Sequence, residues 1–259
     1  RRRQGEAGRD SIEFGALARA DIVEIHRADE ELEVAAIPAV ERAAQPGELL
    51  RLVTCSDGDP LPAHRHMRVL RVDPPPARDQ GYKAFERLFA LEQWIAREKP
   101  DGTVLVVDPD IVFRRAIHQE AAPGSPRAQF WADYMPLSAE TQAATWPMLI
   151  HSHDLARLLP RWIAFTSAIY ATTCRWESDM HALVSAAAAG GLRFVLEPVG
   201  AFVGWPDEVV GAAPIVHYCQ DVVAEDGEVL FAKRSYQPWS RVPGAERAHG
   251  YCRDLLQLI

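Results

Sequence analysis

At 259 residues the chain can bury one large α/β core, or two small ones, without disulfide or metal staples. Its 48% hydrophobic and 25% charged residues describe an ordinary globular protein, and a net charge of −8 with a pI near 5.6 argues against a nucleic-acid partner or an anionic membrane surface. An anionic ligand would therefore have to meet a local cation, and apart from Lys83, Lys99 and Lys233 every basic side chain is an arginine or a histidine.

Cys55, Cys174, Cys219 and Cys252 form no C-x-x-C pair, so neither a disulfide scaffold nor a zinc site is expected. No apolar stretch approaches the ~20 residues of a membrane span. The start at Arg1-Arg2-Arg3, without methionine, is what an excised or processed fragment would show.

Residues 1–47 are charged throughout, with only short apolar runs such as Ile22-Val23 and Val34-Ala35-Ala36-Ile37, and they read as an N-terminal extension of uncertain structure before a domain at 48–259. Leu49 to Cys55 is predicted as the first strand, closed by the turn residues Ser56-Asp57-Gly58-Asp59-Pro60. Thr54 then stands at the first strand-to-loop junction, a place where a nucleotide can sit. His64 and His66 precede a second strand, Met67 to Val72; as an H-x-H pair without a nearby third ligand they read as surface histidines. From Lys83 to Arg97 the period becomes helical, with Ala84, Leu88, Leu91 and Ile95 on one face, and Pro100-Asp101-Gly102 ends the helix.

Val104-Leu105-Val106-Val107-Asp108-Pro109-Asp110-Ile111-Val112-Phe113 follows at once, giving the strand, helix, strand order of a parallel βαβ unit. Its valine-rich part reads as a strand buried on both faces. Asp108 and Asp110 fall at the strand's C-terminal edge, where open α/β sheets bind ligands. Residues two apart on an extended backbone point the same way, with Cα atoms roughly 6 to 7 Å apart. Two carboxylates so placed repel unless a cation joins them, and oxygen ligation suits Mg²⁺ or Mn²⁺.

Beyond a Pro/Gly/Ser loop at 121–126, Phe130 to Met135 is an aromatic cluster and Met148 to His151 a short strand. Asp154 reads as a helix N-cap. Pro160 predicts a break, with a turn over Leu155–Leu159 and a fresh helix near Pro160 burying Trp162, Phe165 and Ile169. Cys174 to Met180 leads into an alanine-rich helix that Gly190-Gly191 terminates. Arg193–Leu196 and Pro214–Tyr218 are predicted strands, and Gly204-Trp205-Pro206 between them is a loop.

Five segments in this order resemble the peptidyl hydroxyproline arabinosyltransferase and peptidyl serine α-galactosyltransferase families, within the wider group of retaining nucleotide-sugar glycosyltransferases. They are Tyr82-Lys83-Ala84-Phe85-Glu86-Arg87 leading into Leu91-Glu92-Gln93-Trp94-Ile95; Asp108-Pro109-Asp110; Leu149-Ile150-His151-Ser152-His153-Asp154-Leu155; Trp176-Glu177-Ser178-Asp179-Met180; and Ile215-Val216-His217-Tyr218. The similarity runs from about Leu49 to Trp239. It implies an A-type glycosyltransferase fold, a single Rossmann-like α/β domain with a mostly parallel sheet flanked by helices. It further implies a UDP-sugar donor, a hydroxyl acceptor such as peptide hydroxyproline or serine, and a divalent ion on Asp108 and Asp110 completed by His217. The imidazole favours Mn²⁺ over Mg²⁺.

By the same resemblance Arg87 contacts the donor phosphate; Lys233 is a further cation that could support the diphosphate. Asp179, with Glu177 as an additional acid, carries the charge that stabilises the sugar's oxocarbenium-like centre, although aspartate at a helix start also serves as a cap. Trp176 and Trp205 offer flat faces to the acceptor. The chain departs from the families at Glu86, where they usually carry asparagine, and at Cys219, where they carry glycine. Two other readings stay open. Asp108-Pro109-Asp110-Ile111-Val112 also fits the D-x-D-x-[TV] pattern of haloacid dehalogenase-type phosphohydrolases, but Lys233 is followed only by the widely separated Glu246 and Asp254 rather than an acidic pair. The other is a non-catalytic sugar- or peptide-binding module on the same fold.

Overall fold

The structure is a computed structural model and describes residues 21–27, 48–54, 67–76, 82–108, 111–117, 121–130, 144–196, 200–202, 213–217, 221–224 and 228–231. In chain order the strands are β1 (Asp21–Arg27), β2 (Leu49–Thr54), β3 (Met67–Val72), β4 (Thr103–Val107), β5 (Ile111–Phe113), β6 (Arg127–Phe130), β7 (Ala144–His151), β8 (Val195–Leu196), β9 (Gly200–Phe202), β10 (Ile215–His217), β11 (Val222–Val223) and β12 (Val229–Phe231). The helices are α1 (Ala84–Glu98), α2 (Ser152–Thr173) and α3 (Ser178–Ala189). No helix among the described residues is long and apolar enough to cross a membrane.

The main sheet runs β3-β2-β1-β4-β7-β6-β8. β3, β2, β1 and β4 are mutually parallel, whereas β7 is antiparallel to both β4 and β6. All five residues of β4 are buried, as a valine-rich strand covered on both faces requires. The boundary expected at 47/48 cuts through this sheet: Asp21–Arg27 is a central strand, paired with β2 on one side and β4 on the other. Leu49–Thr54 is accordingly the second of the described strands.

On one face of the sheet, Leu50, Leu52, Val104, Val106, Met148 and Ile150 share a core with Leu88, Leu91 and Trp94 of α1, Leu155, Leu158, Leu159 and Trp162 of α2 and Leu183 of α3. Truncating one of these leucines to alanine costs about 2–5 kcal/mol. Leu105 and Leu149, of opposite parity, are fully buried as well.

The break expected at Pro160 does not occur. The apolar stripe Leu155, Leu158, Leu159, Trp162 continues on one face across the exposed Pro160, and burying it outweighs the backbone bond that proline cannot donate. Nor is Asp154 the cap. His151 Nδ1 accepts the His153 N–H at 3.3 Å, and the buried Asp154 carboxylate instead accepts the Gly124 N–H at 2.5 Å, tying the 121–126 loop to α2. α3 ends as its glycines predict: Leu192 N–H bonds Ala187 O at 2.8 Å, Gly191 N–H bonds Ala188 O at 3.1 Å, and Gly191 takes φ +70°.

These directions decide where the helix ends lie. α1 joins β3 to the parallel β4, so its N-terminus sits near the C-terminal edge of the parallel strands. β7 runs the other way, with His151 opposite Thr103, so α2 starts at the N-terminal edge and returns. The start of α1, the end of α2 and the start of α3 therefore gather at one edge.

Candidate functional site

Asp108 directly follows β4 at that edge. Glu24 pairs with Val107, so Asp108 stands beside β1, where the strand order reverses between β1 and β4; such switch points bind ligands in open α/β sheets. The valine-rich strand ends before Asp108, as its carboxylate edge predicts, and Ile111–Phe113 belongs to a separate sheet in the order β5-β10-β9. The antiparallel register sets His217 opposite Ile111 and so brings it to Asp108, with Nε2 3.8 Å from Oδ2.

From the first turns of α1, Arg87 reaches the same carboxylate, its Nη2 in contact with Asp108 Oδ1, while its Nη1 lies 3.7 Å from Asp179 Oδ2. One guanidinium thus stands between two carboxylates, with side-chain exposures of 22% for Arg87, 15% for Asp108 and 6% for Asp179.

Asp179 lies in the first turn of α3, where aspartate meets the positive end of the helix. Tyr82, just before α1, places its hydroxyl oxygen 2.8 Å from Asp179 Oδ1, 3.1 Å from the Asp179 N–H nitrogen and 2.5 Å from the carbonyl oxygen of Trp176. Its ring stacks on Tyr170 at 4.2 Å, and Trp162 Nε1–H donates to the Asp179 carbonyl at 2.7 Å. Burial pushes the Asp179 carboxyl above the usual carboxylate range, against the opposing pull of Arg87, the Tyr82 hydroxyl and nearby backbone N–H groups. Burial also raises the Tyr82 phenol well above its ordinary value, and the Asp179 charge adds to this. His181, on the next turn, is pushed down by burial, with Glu177 opposing.

The turn between α2 and α3 carries the other two candidates. Glu177 is partly open to solvent, with Arg175 Nη1 3.9 Å from its Oε1, and Trp176 is 62% exposed. Thr54 ends β2 at the same sheet edge, opposite Arg27, and its side chain lies outside the described residues. So do Asp110, Lys233 and Trp205, as well as His64 and His66.

The structure therefore brings Arg87, Asp108, Asp179 and His217 together. Tyr82 belongs with them, although the sequence reading gave it no role. It had stood only within the aromatic and basic segment, and its partners lie 94 and 97 positions along the chain.

For a divalent ion the described residues offer one carboxylate and one imidazole. Atoms 3.8 Å apart can share an ion with bonds of about 2.1 Å at an open angle. No third His, Cys, Asp or Glu completes a metal-ready group among the described residues. The chemistry of the donor pair fits a borderline cation such as Mn²⁺. Beside it, Arg87 supplies the local cation that an anionic ligand needs on a chain of net charge −8.

No family model matches the chain. It is 26% identical over 149 residues to hydroxyproline O-arabinosyltransferase 3 of Arabidopsis thaliana, covering 48% of this chain and 42% of that protein. The chain thus spans less than half the length of this curated relative, and the likeness points, at a coarse level, to a distant glycosyltransferase relationship.

Proposed function

We propose that the chain is the donor-binding and transfer part of a retaining glycosyltransferase that moves a sugar from a UDP-sugar to a hydroxyl acceptor such as peptide hydroxyproline or serine. The observation that carries this reading is the meeting of Arg87, Asp108 and His217 at the C-terminal edge of parallel strands, at the switch point. An A-type fold accords with the parallel β3-β2-β1-β4 core and its antiparallel neighbour β7.

Asp108, Asp110 and His217 would hold Mn²⁺ or Mg²⁺, which when bound neutralises charge on the diphosphate. Arg87 turns from Asp108 to a phosphate oxygen, with Lys233 and Thr54 completing the donor contacts. Transfer breaks the bond between the anomeric carbon and the diphosphate oxygen and forms one to the acceptor oxygen on the same face, and the acceptor's proton passes to the departing diphosphate. Of the two acids around the start of α3, Glu177 is the more solvent-open and is the group assigned to stabilise the positive centre. Asp179, buried behind Arg87, acts through that arginine. Trp176, 62% exposed, presents an apolar face to the acceptor; the same role is proposed for Trp205, which lies outside the described residues.

The test is UDP release in Mn²⁺ with a panel of UDP-sugars, with and without a hydroxyproline- or serine-containing peptide. One donor should be preferred, and the peptide should accelerate release. Absence of both binding and release across the panel would refute the assignment.

A further inference from the structure

Among the described residues the Tyr82 hydroxyl has three polar neighbours, and it carries one hydrogen. The Trp176 carbonyl oxygen, at 2.5 Å, can only accept, so the hydroxyl hydrogen is committed there. The Asp179 N–H, at 3.1 Å, can only donate to the hydroxyl oxygen. The remaining neighbour, Asp179 Oδ1 at 2.8 Å, is at hydrogen-bond distance from an oxygen with no second hydrogen to give. If Asp179 were ionised, two oxygens would face each other at 2.8 Å without a proton between them, inside a site that water barely reaches. A hydrogen on Oδ1 satisfies every group: the phenol then donates once and accepts twice.

The groups facing Asp179 allow this. Among the described residues the cation facing it is Arg87, on α1; it contacts Asp108, and its Nη1 is 3.7 Å from Oδ2, beyond hydrogen-bond length. Glu177, just before α3, and His181, on α3, flank it, and Glu177 faces Arg175 from the same turn. α2 contributes Trp162 and Tyr170, which are uncharged. Burial outweighs the pull of Arg87, of the Tyr82 hydroxyl and of the backbone N–H groups at the helix start, the direction that favours the neutral acid.

We propose that Asp179 is held as the neutral carboxylic acid, donating its hydrogen to the Tyr82 oxygen, and that Tyr82 and Asp179 together position Arg87 without neutralising it. The consequence for Arg87 rests on the functional reading above: a guanidinium backed by a neutral acid keeps its charge for the donor diphosphate once Asp108 turns to a cation. Tyr82 and Asp179 are then positioning residues.

The protonation half is tested without any donor, by the stability difference between wild type and Asp179→Asn, read from urea unfolding across about pH 4 to 8. A carboxyl whose folded value lies above its unfolded one binds more protons in the native state. Its contribution is therefore complete at the low end and is lost as pH rises towards the folded value. The wild type's advantage over the amide variant should shrink steadily with pH; an advantage that stays level or grows overturns the proposal. Should the variant not unfold cooperatively, infrared spectra of ¹³C-aspartate-labelled wild type serve instead. A protonated-carboxyl band at neutral pH that moves in Tyr82→Phe is expected, and its absence is the contrary result.

The positioning half is read from kinetics. Asp179→Ala should raise the donor KM about tenfold and change kcat by less than about threefold, whereas a fall in kcat at constant KM would place Asp179 at the reacting centre and overturn the role. A shrinking stability gap without UDP release sinks the functional reading alone; release with a level gap sinks the protonation alone.

Discussion

Arg68 and Arg87 are each set between two carboxylates, at opposite edges of one sheet. Arg68 grips Glu48 through Nε at 2.7 Å and Nη2 at 2.9 Å, and Glu98 through Nη1 at 2.6 Å and Nη2 at 2.7 Å. Its forks are filled on both sides, its side chain is 38% exposed, and its work is structural. It ties the start of β2 to the end of α1, where Glu98 alone would face the negative end of the helix. Arg87, by contrast, lies closer to the interior and binds unevenly, touching Asp108 and standing off from Asp179. An arginine between two acids is therefore not a site by composition. Burial and unequal engagement set Arg87 apart from Arg68, and the proposed donor contact draws on that difference.

Breaking the Arg87 arrangement should have the largest effect. Asp108→Asn is expected to cut UDP release by ~100- to 1,000-fold, the scale on which a preorganised charge is lost from a site, while circular dichroism stays native. Full activity would leave Arg87 and Arg68 equivalent. Next comes Arg87→Lys, which keeps the charge but not the fork; a ~10- to 100-fold loss of release is expected, carried mainly by donor KM. A lysine variant as active as wild type would mean that geometry at Arg87 is irrelevant. The smallest effect belongs to Arg68→Ala: about 1 kcal/mol of stability by urea unfolding, reduced in high salt, with UDP release at the wild-type level. Any sizeable loss of turnover there would show that the two edges are functionally coupled.

Much of this fold was legible wherever burial and local chemistry agree. β4 is a run of five buried residues, α1 keeps Leu88 and Leu91 on a helical face, and Gly190-Gly191 closes α3 in the geometry that glycine permits. β1 was not legible. In Asp21-Ile22-Val23-Glu24-Ile25-His26-Arg27, four polar residues mask a short apolar alternation, and a central strand looked like part of a charged extension. At Pro160 the local rule failed because tertiary packing overrode it.

For the site, the order of motifs singled out Arg87, Asp108 and His217, which no local spacing could unite. What brings them together is the antiparallel pairing of β5 with β10 and the crossover through α1. The hydrogen-bond count at Tyr82 could not be read from sequence at all, because it depends on distances set by the packing of α1 against the α2–α3 turn.

The place of β1 also bears on how the chain can fold. The first described strand in sequence is inserted between β2 and β4, parallel to both, and parallel neighbours are joined by crossovers rather than tight turns. During synthesis β1 emerges before either partner, and its pairing with β4 waits until α1 has been made, an arrangement of high contact order that slows assembly. A chain starting at residue 48 would have two facing rows of unpaired N–H and C=O groups in mid-sheet, the kind of edge that recruits other chains. The smallest piece able to fold on its own must therefore include Asp21–Arg27.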